Sequence, residues 1–191
     1  MKIAFCTDGI FPHAVGGMQR HSRLLIEELV AQGADVCVFH PHEEEIFPNV
    51  QELRVQGIDT SKNYLKECKS YSKRMYYALK KDDYDIIYSQ GLSVWYKAEE
   101  FSDKLVVNPH GLEPFQAIGF KDKLIAIPFK RVFSSIFKKS RAVVSLGGRL
   151  TPIIKKIVGN DKIWVLPNAI NLPEKQKTSF PEKGEKLEVF F

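Results

Sequence analysis

Two adjacent glycines, Gly16 and Gly17, lie between a short apolar segment and a stretch with helical periodicity. A helix that begins at glycine exposes backbone N–H groups at its positive end, and such groups bind phosphate. The missing side chains also let a ligand approach the backbone closely. The spacing matches neither GxGxxG nor GxxxxGK(S/T), which argues against a nicotinamide-dependent oxidoreductase and a P-loop enzyme. The pair therefore predicts a phosphate site, and a plain turn is the alternative.

A histidine, His110, follows an apolar run at residues 104–108 within the loop 108–114. Its ring can donate or accept a hydrogen bond to a polar ligand, and the neighbouring Gly111 keeps the turn open. The alternative is a loop histidine that bonds to a neighbouring carbonyl. The other histidines show no metal-like spacing with one another or with a cysteine, and no Ser/His/Asp order or carboxylate pair stands out. We therefore predict a polar contact at His110 and no metal site.

The segment 121–141 is basic and amphipathic, with seven Lys and Arg residues against the single acid Asp122. Its apolar residues recur at helical spacing, so the helix can lie on an anionic membrane surface. The alternative is a sheet-covering helix with an aromatic face in the core and a basic face in solvent. Pro128 is expected to mark the start of the helix or a kink. The recurring apolar residues are Ile125, Phe129, Val132, Phe133, Ile136 and Phe137.

Composition places the chain among ordinary globular proteins. Of its 191 residues, 44% are hydrophobic and 27% charged, which excludes disorder and low complexity. A net charge of +5 suits a phosphate-bearing ligand or an anionic membrane, and it is too weak to indicate nucleic acid as a partner. Cys6 and Cys37 lie in apolar runs and are expected to be buried hydrophobes rather than disulfide or zinc ligands. No apolar run approaches the roughly 20 residues that span a bilayer, so we expect a cytoplasmic protein.

Apolar strands alternate with helical patterns along the chain. Continuously apolar strands separated by helices are typical of a parallel sheet covered on both faces, so the predicted fold is a Rossmann-like α/β domain. In such sheets ligands lie outside the carboxyl ends of the strands. The predicted strands are 2–7, 34–40, 52–55, 85–88, 104–108, 142–145 and 163–166. The predicted helices are 18–32, 61–81, 92–101, 124–139 and 149–158.

The end of the chain differs in character. We assign residues 1–166 to the Rossmann-like domain. Residues 167–186 are rich in proline and lysine without periodicity, which is typical of a linker. The final residues 187–191 resemble a fresh strand, which we expect to be the first strand of a missing C-terminal domain.

Taken in order, these segments resemble the N-terminal half of family 4 glycosyltransferases, enzymes of the GT-B fold. The ordered set, with LPNAIN in its expected place, is more specific than any one segment. It covers essentially the whole chain. The segments are 8–12 (DGIFP), 16–21 (GGMQRH), 84–91 (YDIIYSQG), 106–111 (VVNPHG), 140–145 (SRAVVS) and 163–171 (IWVLPNAIN).

The resemblance implies two Rossmann-like domains, an N-terminal one for the acceptor and a C-terminal one for a nucleotide-sugar donor. Transfer would retain the anomeric configuration, usually without an obligate metal or other cofactor. By position, Gly16 and Gly17 would approach the donor diphosphate, and His110 would contact the transferred sugar at the reacting centre. The loops at Gln90 and Glu113 would touch the acceptor.

The resemblance also sets an expectation for activity. The family's acidic E-x7-E stretch and its nucleotide pocket belong to the C-terminal half, so this chain alone should be inactive. The expected process is the assembly of cell-surface glycan or lipopolysaccharide, with a glycan or lipid-linked acceptor, at the inner face of the membrane. The alternative is a non-catalytic module that binds anionic membrane through residues 121–141.

Overall fold

The computed structural model describes residues 1–168 and contains a seven-stranded sheet in which every pairing is parallel. The strand order is β3-β2-β1-β4-β5-β6-β7. From the central strand β1, the chain adds β2 and β3 on one side of the sheet. It then crosses to the other side of β1, where it adds β4 to β7 in order. The strands are β1 (Lys2–Cys6), β2 (Asp35–His40), β3 (Gln51–Arg54), β4 (Ile86–Gln90), β5 (Leu105–Asn108), β6 (Ala142–Ser145) and β7 (Ile163–Val165).

Four α-helices connect these strands. They are α1 (Gly17–Ala31), α2 (Tyr64–Leu79), α3 (Phe120–Lys139) and α4 (Leu150–Val158). Gly33 follows α1 with φ +80°, which is the left-handed conformation that ends many helices at glycine. Two short 3-10 helices, Ala98–Phe101 and Glu113–Gln116, lie in the connections after β4 and β5.

The two faces of the sheet carry separate apolar layers. Phe5 and Val38 pack on the face that α1 covers, together with the buried Ile26 of that helix. The alternate strand residues, such as Ala4 and Cys37, face α2, α3 and α4 on the other side. Because both faces are covered, the central strands carry apolar residues on both faces, and their polar residues lie mainly at the strand ends. The Rossmann-like α/β prediction is therefore confirmed.

All three cysteines, Cys6, Cys37 and Cys68, are buried free thiols. Burial raises the pKa of each thiol above its ordinary value. A thiol that stays protonated is a poor nucleophile and a poor metal ligand. These residues therefore act as small core hydrophobes, as expected for Cys6 and Cys37.

The helix predicted at 92–101 is wrong, since only Ala98–Phe101 forms a 3-10 helix. The Ser72 hydroxyl, on α2, accepts hydrogen bonds from the backbone N–H groups of Trp95 and Tyr96 at 2.5 and 2.7 Å. The Ser89 hydroxyl accepts from Val94 N–H at 3.0 Å. These side chains replace the acceptors that a helix would supply, so the segment stays irregular.

The third helix begins earlier than predicted, at Phe120, and continues through Pro128 to Lys139. Pro128 therefore does not mark the start of this helix. A proline inside a helix leaves the carbonyl four residues before it without its N–H donor. Here both Pro128 and Leu124 are exposed, so water can satisfy that carbonyl.

Pro167 and Asn168 have no regular secondary structure. The rest of the predicted linker 167–186 and the predicted strand 187–191 lie outside the described residues. Among residues 1–168, none of the helices combines the length and the apolar character needed to cross a membrane.

We expect Ser72→Ala to lower the free energy of unfolding by about 2 kcal/mol, because two N–H groups lose their shared buried acceptor. Urea denaturation followed by circular dichroism measures the change. Ser102→Ala, at an exposed serine, is the matched control and should stay within about 0.5 kcal/mol of the parent chain. Equal small changes in both variants would show that Ser72 does not hold the segment.

Candidate functional site

The candidate site lies at the edge of the sheet where the parallel strands end. The order of the strands places β4 between β1 and β5, so the loops that follow these three strands are neighbours. β1 is also the point at which the chain reverses its direction across the sheet. Open α/β sheets bind ligands at such a switch point.

Gly16 and Gly17 open α1 at this edge. No side chain caps the first turn, so its backbone N–H groups keep their hydrogen-bonding capacity for an outside partner. A methyl group added at Gly17 would meet no atom within 4 Å, whereas one added at Gly16 would meet the Gln19 side chain. The space above Gly17 is therefore open to a ligand.

Buried hydrogen bonds hold the loop that carries the two glycines. The Thr7 hydroxyl donates to the Gly9 carbonyl at 2.9 Å, and the Tyr71 hydroxyl donates to the Thr7 carbonyl at 2.5 Å. Ile10, which is fully buried, donates its N–H to His42 Nε2 at 3.0 Å. These contacts fix the approach to α1 before any ligand binds.

A chain of polar contacts behind this loop was not anticipated from the sequence. His42 N–H donates to His40 Nδ1 at 3.1 Å, and His40 Nε2 lies 2.6 Å from the Glu52 carboxylate. Glu52 also accepts the backbone N–H groups of Ile46 and Phe47. Burial is the largest effect that lowers the pKa of both histidines, so both rings are neutral. His42 Nε2 and His40 Nδ1 then accept the backbone N–H groups, while His40 Nε2–H donates to the Glu52 carboxylate. The signal in the sequence was limited to His40 at the end of β2 and His42 two residues later.

His110 follows β5 in a left-handed conformation, with φ +56°. Few residues other than glycine adopt it, and such strain is concentrated at functional sites. Its N–H donates to Asn108 Oδ1 at 3.0 Å, and the Asn108 amide donates to the Tyr88 hydroxyl at 3.0 Å. These bonds hold the strained turn, and the His110 ring lies edge-on to the His21 ring at 5.2 Å between centroids.

The His110 ring is neutral at physiological pH. Burial, and to a smaller extent the charge of nearby His21, lowers its pKa to about 4. Its Nε2 contacts Gln90 Oε1, an acceptor, so Nε2 carries the proton and Nδ1 remains as an acceptor. A neutral ring of this kind can orient a hydroxyl group, but it does not supply a positive charge.

Gln90 is buried at the end of β4, and its side chain contacts His110. Glu113 instead is exposed and lies against the backbone of Gly111. The two residues predicted to contact the acceptor thus differ in exposure, since Gln90 is buried and Glu113 is exposed. Within residues 1–168, the Gln90 amide nitrogen has no hydrogen-bond partner although it is buried.

A cavity of about 600 Å³ opens at the same edge, between the strand ends, α2 and α3. Glu113 lines it, while Gly17, Gln90 and His110 each lie one residue from a lining residue. Those neighbours are Met18, Gly91, Pro109 and Gly111. The predicted site residues are therefore gathered around one cavity, of the size that small-molecule sites commonly have.

The two halves of α3 differ in how far their apolar residues are exposed. In the second half, Phe133 and Phe137 are buried in the core, as expected of a sheet-covering helix. In the first half, Phe120 is 78% exposed and Ile125 is 67% exposed. The apolar residues that a membrane could contact therefore lie in the first two turns.

A comparison with protein-family models matches residues 15–174 of the chain to Glycosyltransferase Family 4. The match includes the glycine pair, the loop of His110 and all of α3, and it covers well over half of the 191 residues. The chain belongs to glycosyltransferase family 4. This result confirms the resemblance to the N-terminal domain of the family.

Solved structures share the fold of this family 4 chain. WaaG, a glycosyltransferase involved in lipopolysaccharide biosynthesis, is 18% identical with a TM-score of 0.60, over 86% of this chain and 44% of WaaG. Sucrose-phosphate synthase from Thermosynechococcus elongatus is 15% identical with a TM-score of 0.64, over 87% of this chain and 47% of that one. The chain thus spans less than half the length of these proteins.

A third neighbour with the same fold is described as a different class of enzyme. It is a putative UDP-N-acetylglucosamine 2-epimerase from Listeria monocytogenes, 14% identical with a TM-score of 0.54, over 85% of this chain and 44% of that one. A comparison with curated protein sequences finds no significant match. Membership of family 4 therefore rests on the family model.

Within residues 1–168, no three His, Cys, Asp or Glu side chains are arranged to hold a metal ion. The prediction of a reaction without a metal stays a prediction, as do the roles assigned by position to Gly16, Gly17, Gln90, His110 and Glu113.

The pKa of His110 predicts how stability depends on pH. The pKa is about 4 in the folded protein and 6.5 in an unperturbed histidine, so the unfolded chain binds more protons between these values. The contribution of neutral His110 to the free energy of unfolding is complete above about pH 6.5 and is lost as the pH falls toward 4. The parent chain should therefore lose about 3 kcal/mol more than His110→Asn between neutral pH and pH 4.

Urea denaturation over this pH range measures the difference. Asparagine tolerates the left-handed backbone, so the variant should fold while lacking the titrating group. Superimposable pH profiles for the two proteins would show that His110 is not held in its neutral form.

Proposed function

We propose that this chain is the acceptor-side half of a retaining glycosyltransferase. It uses a nucleotide-diphosphate sugar as donor and a glycan or lipid-linked molecule as acceptor, without a metal or other cofactor. The family match supports transferase chemistry, and retention is proposed on the family resemblance. The process we propose is the assembly of cell-surface glycan or lipopolysaccharide at the cytoplasmic face of a membrane, by analogy with WaaG.

The observation that carries this proposal is the position of the glycine pair beside the cavity. Met18, which follows Gly17 in α1, lines the cavity, so a diphosphate at the start of α1 would lie next to a bound acceptor. Negative charge grows on the diphosphate as the sugar leaves. Preoriented N–H groups and the positive end of a helix stabilise that charge without rearrangement.

His110 lies at the same edge of the sheet, in the loop that follows β5. Its neutral ring presents Nδ1 as an acceptor, and its loop is held by Asn108 and Gln90. We propose that it orients a hydroxyl of the transferred sugar, because a fixed hydrogen bond places the reacting carbon close to the acceptor. Glu113 and Asp8 line the cavity and supply carboxylate acceptors for hydroxyl groups of the acceptor.

The donor-binding half is proposed to lie in further sequence of the protein. The chain covers 44% and 47% of the two transferase-related structures, so those proteins hold about as much sequence again. The 191 residues alone should release no nucleotide from a panel of nucleotide sugars, while the full-length protein should release it when acceptor is added. Turnover by the 191 residues, or conversion of the donor sugar to its epimer without acceptor, would contradict the proposal.

We expect Gly17→Ala in the full-length protein to weaken nucleoside diphosphate binding about tenfold, which corresponds to about 1.4 kcal/mol. The added methyl meets no protein atom and favours the helix, so stability should be unchanged or slightly higher. It would, however, occupy the space where the diphosphate approaches the N–H groups. Calorimetric titration with UDP, GDP and ADP measures the affinity.

Val15→Ala is the matched control, since Val15 is an exposed neighbour outside the first turn of α1. It should bind the same diphosphate as tightly as the parent protein. Unchanged affinity in Gly17→Ala would place the diphosphate elsewhere.

A second candidate function, attachment to anionic membrane, is favoured by a continuous stripe along α3. Three exposed apolar residues occupy its first turns, and basic or hydroxyl residues continue the same side of the helix. Apolar residues can enter the acyl boundary while basic ones contact anionic headgroups. The two functions are compatible in one protein. The stripe consists of Phe120, Leu124, Ile127, Arg131, Ser135 and Lys138.

The chain should sediment with vesicles that contain phosphatidylglycerol, and added salt should weaken the binding. The triple variant Phe120→Ser, Leu124→Ser, Ile127→Ser should no longer bind these vesicles, because it lacks the apolar side chains that insert into the membrane. Lys130→Glu, Arg131→Glu and Lys138→Glu together should also abolish this binding. Lys139 is left unchanged because it already pairs with Glu99 at 2.9 Å.

Tyr77→Ser, at an exposed aromatic residue of α2, is the control and should sediment like the parent chain. Binding that is equal in all variants, or absent at low salt, would reject the membrane surface on α3.

A further inference from the structure

The walls of the cavity are largely apolar. On one side they come from α2, with Tyr64 and Cys68, and on the other from α3, with Ala126, Phe129 and Phe133. The rings of Tyr64 and Phe129 stack across this space with their centroids 6.3 Å apart. A bound hydrocarbon would remove these surfaces from water, which is favourable in proportion to the area covered.

The end of the cavity at the strand termini is polar and carries no positive charge. Ser93 is 98% buried, lines the cavity, and its hydroxyl has no hydrogen-bond partner within residues 1–168. Buried hydroxyl groups are normally paired, so this one points to a partner that a ligand supplies. Asp8 lines the same end, and burial raises the pKa of its carboxyl group.

The charges around the cavity select the kind of polar group that fits. Its acidic lining residues are Asp8, Glu113 and Asp122, and no Lys, Arg or His of the described chain lines it. A phosphate or carboxylate would be repelled there. A neutral group with several hydroxyls can donate to the carboxylates and pair with Ser93.

The apolar wall continues to the outer surface through one residue. Ile125 lines the cavity and is also 67% exposed. A chain too long for the cavity would therefore leave it over apolar surface and not over charged groups.

We infer that the acceptor is an amphiphile, with a neutral polyhydroxyl head at Asp8 and Ser93 and a hydrocarbon portion between α2 and α3. This inference rests on the proposed function, because it names the acceptor class of that site. It selects the lipid-linked class over a free glycan.

The test is calorimetric titration of the chain with methyl, hexyl and octyl glucoside below their micelle concentrations. Methyl glucoside should bind too weakly to detect. Between hexyl and octyl glucoside, each added methylene should tighten binding up to about fourfold if it is fully buried. Octyl sulfate, which has an anionic head, should bind more weakly than octyl glucoside.

Two adjacent residues provide a matched pair of variants. Ile125→Ser, at the cavity wall, should weaken octyl glucoside binding at least threefold, while Leu124→Ser, outside the cavity, should leave it unchanged. Both positions are exposed, so neither change should prevent folding. Ala126→Phe fills the cavity and should abolish the dependence on chain length.

The polar end is tested separately. Ser93→Ala should weaken the binding of hexyl and octyl glucoside by the same two- to tenfold factor, because one hydrogen bond is lost and the hydrocarbon contacts remain. A loss that grows with chain length would place Ser93 against the hydrocarbon instead.

Several results would overturn the inference. They are affinity that does not depend on chain length, equal losses in Ile125→Ser and Leu124→Ser, and tighter binding of octyl sulfate. These titrations contain no donor and need no turnover. Their failure would therefore leave the transferase proposal standing, and a full-length protein without transferase activity would leave the binding result standing.

Discussion

All seven strands run in the same direction, and the candidate site depends on this constraint. Because the strands are parallel, every loop that follows a strand emerges at one edge of the sheet. Residues as distant in sequence as Gly17, Gly91 and His110 therefore meet around one cavity. The strand order adds the switch point beside β1, where the helix dipole of α1 and the ends of β4 and β5 face the same space.

The loops at this edge are held by polar groups from neighbouring elements. Ile10 bonds to His42, Trp95 bonds to Ser72, and His110 bonds to Asn108. Irregular backbone that is partly buried needs such partners, since an unpaired N–H or carbonyl is costly away from water. The rigid parts of the site are therefore set by the protein, while the Ser93 hydroxyl and the first N–H groups of α1 stay available to ligands.

The sequence allowed the layout of the fold to be predicted because strands covered on both faces are continuously apolar, as in VCVF of β2. The loops of the glycine pair and of His110 were predicted to lie at one edge because both follow strands of a parallel sheet. Other features depend on contacts between distant residues and leave no periodic pattern. The Ser72 hydroxyl bonds to the backbone at Trp95 where a helix was predicted, and Glu52 bonds to His40. The two halves of α3 differ in what packs against them.

The most direct test of the central claim is a crystal structure of the full-length protein with a nucleotide-diphosphate sugar bound. We expect diphosphate oxygens within hydrogen-bonding distance of the Gly16 and Gly17 N–H groups, and the sugar between His110 and the cavity mouth. A diphosphate bound away from the start of α1, or a sugar that faces away from the cavity, would contradict it.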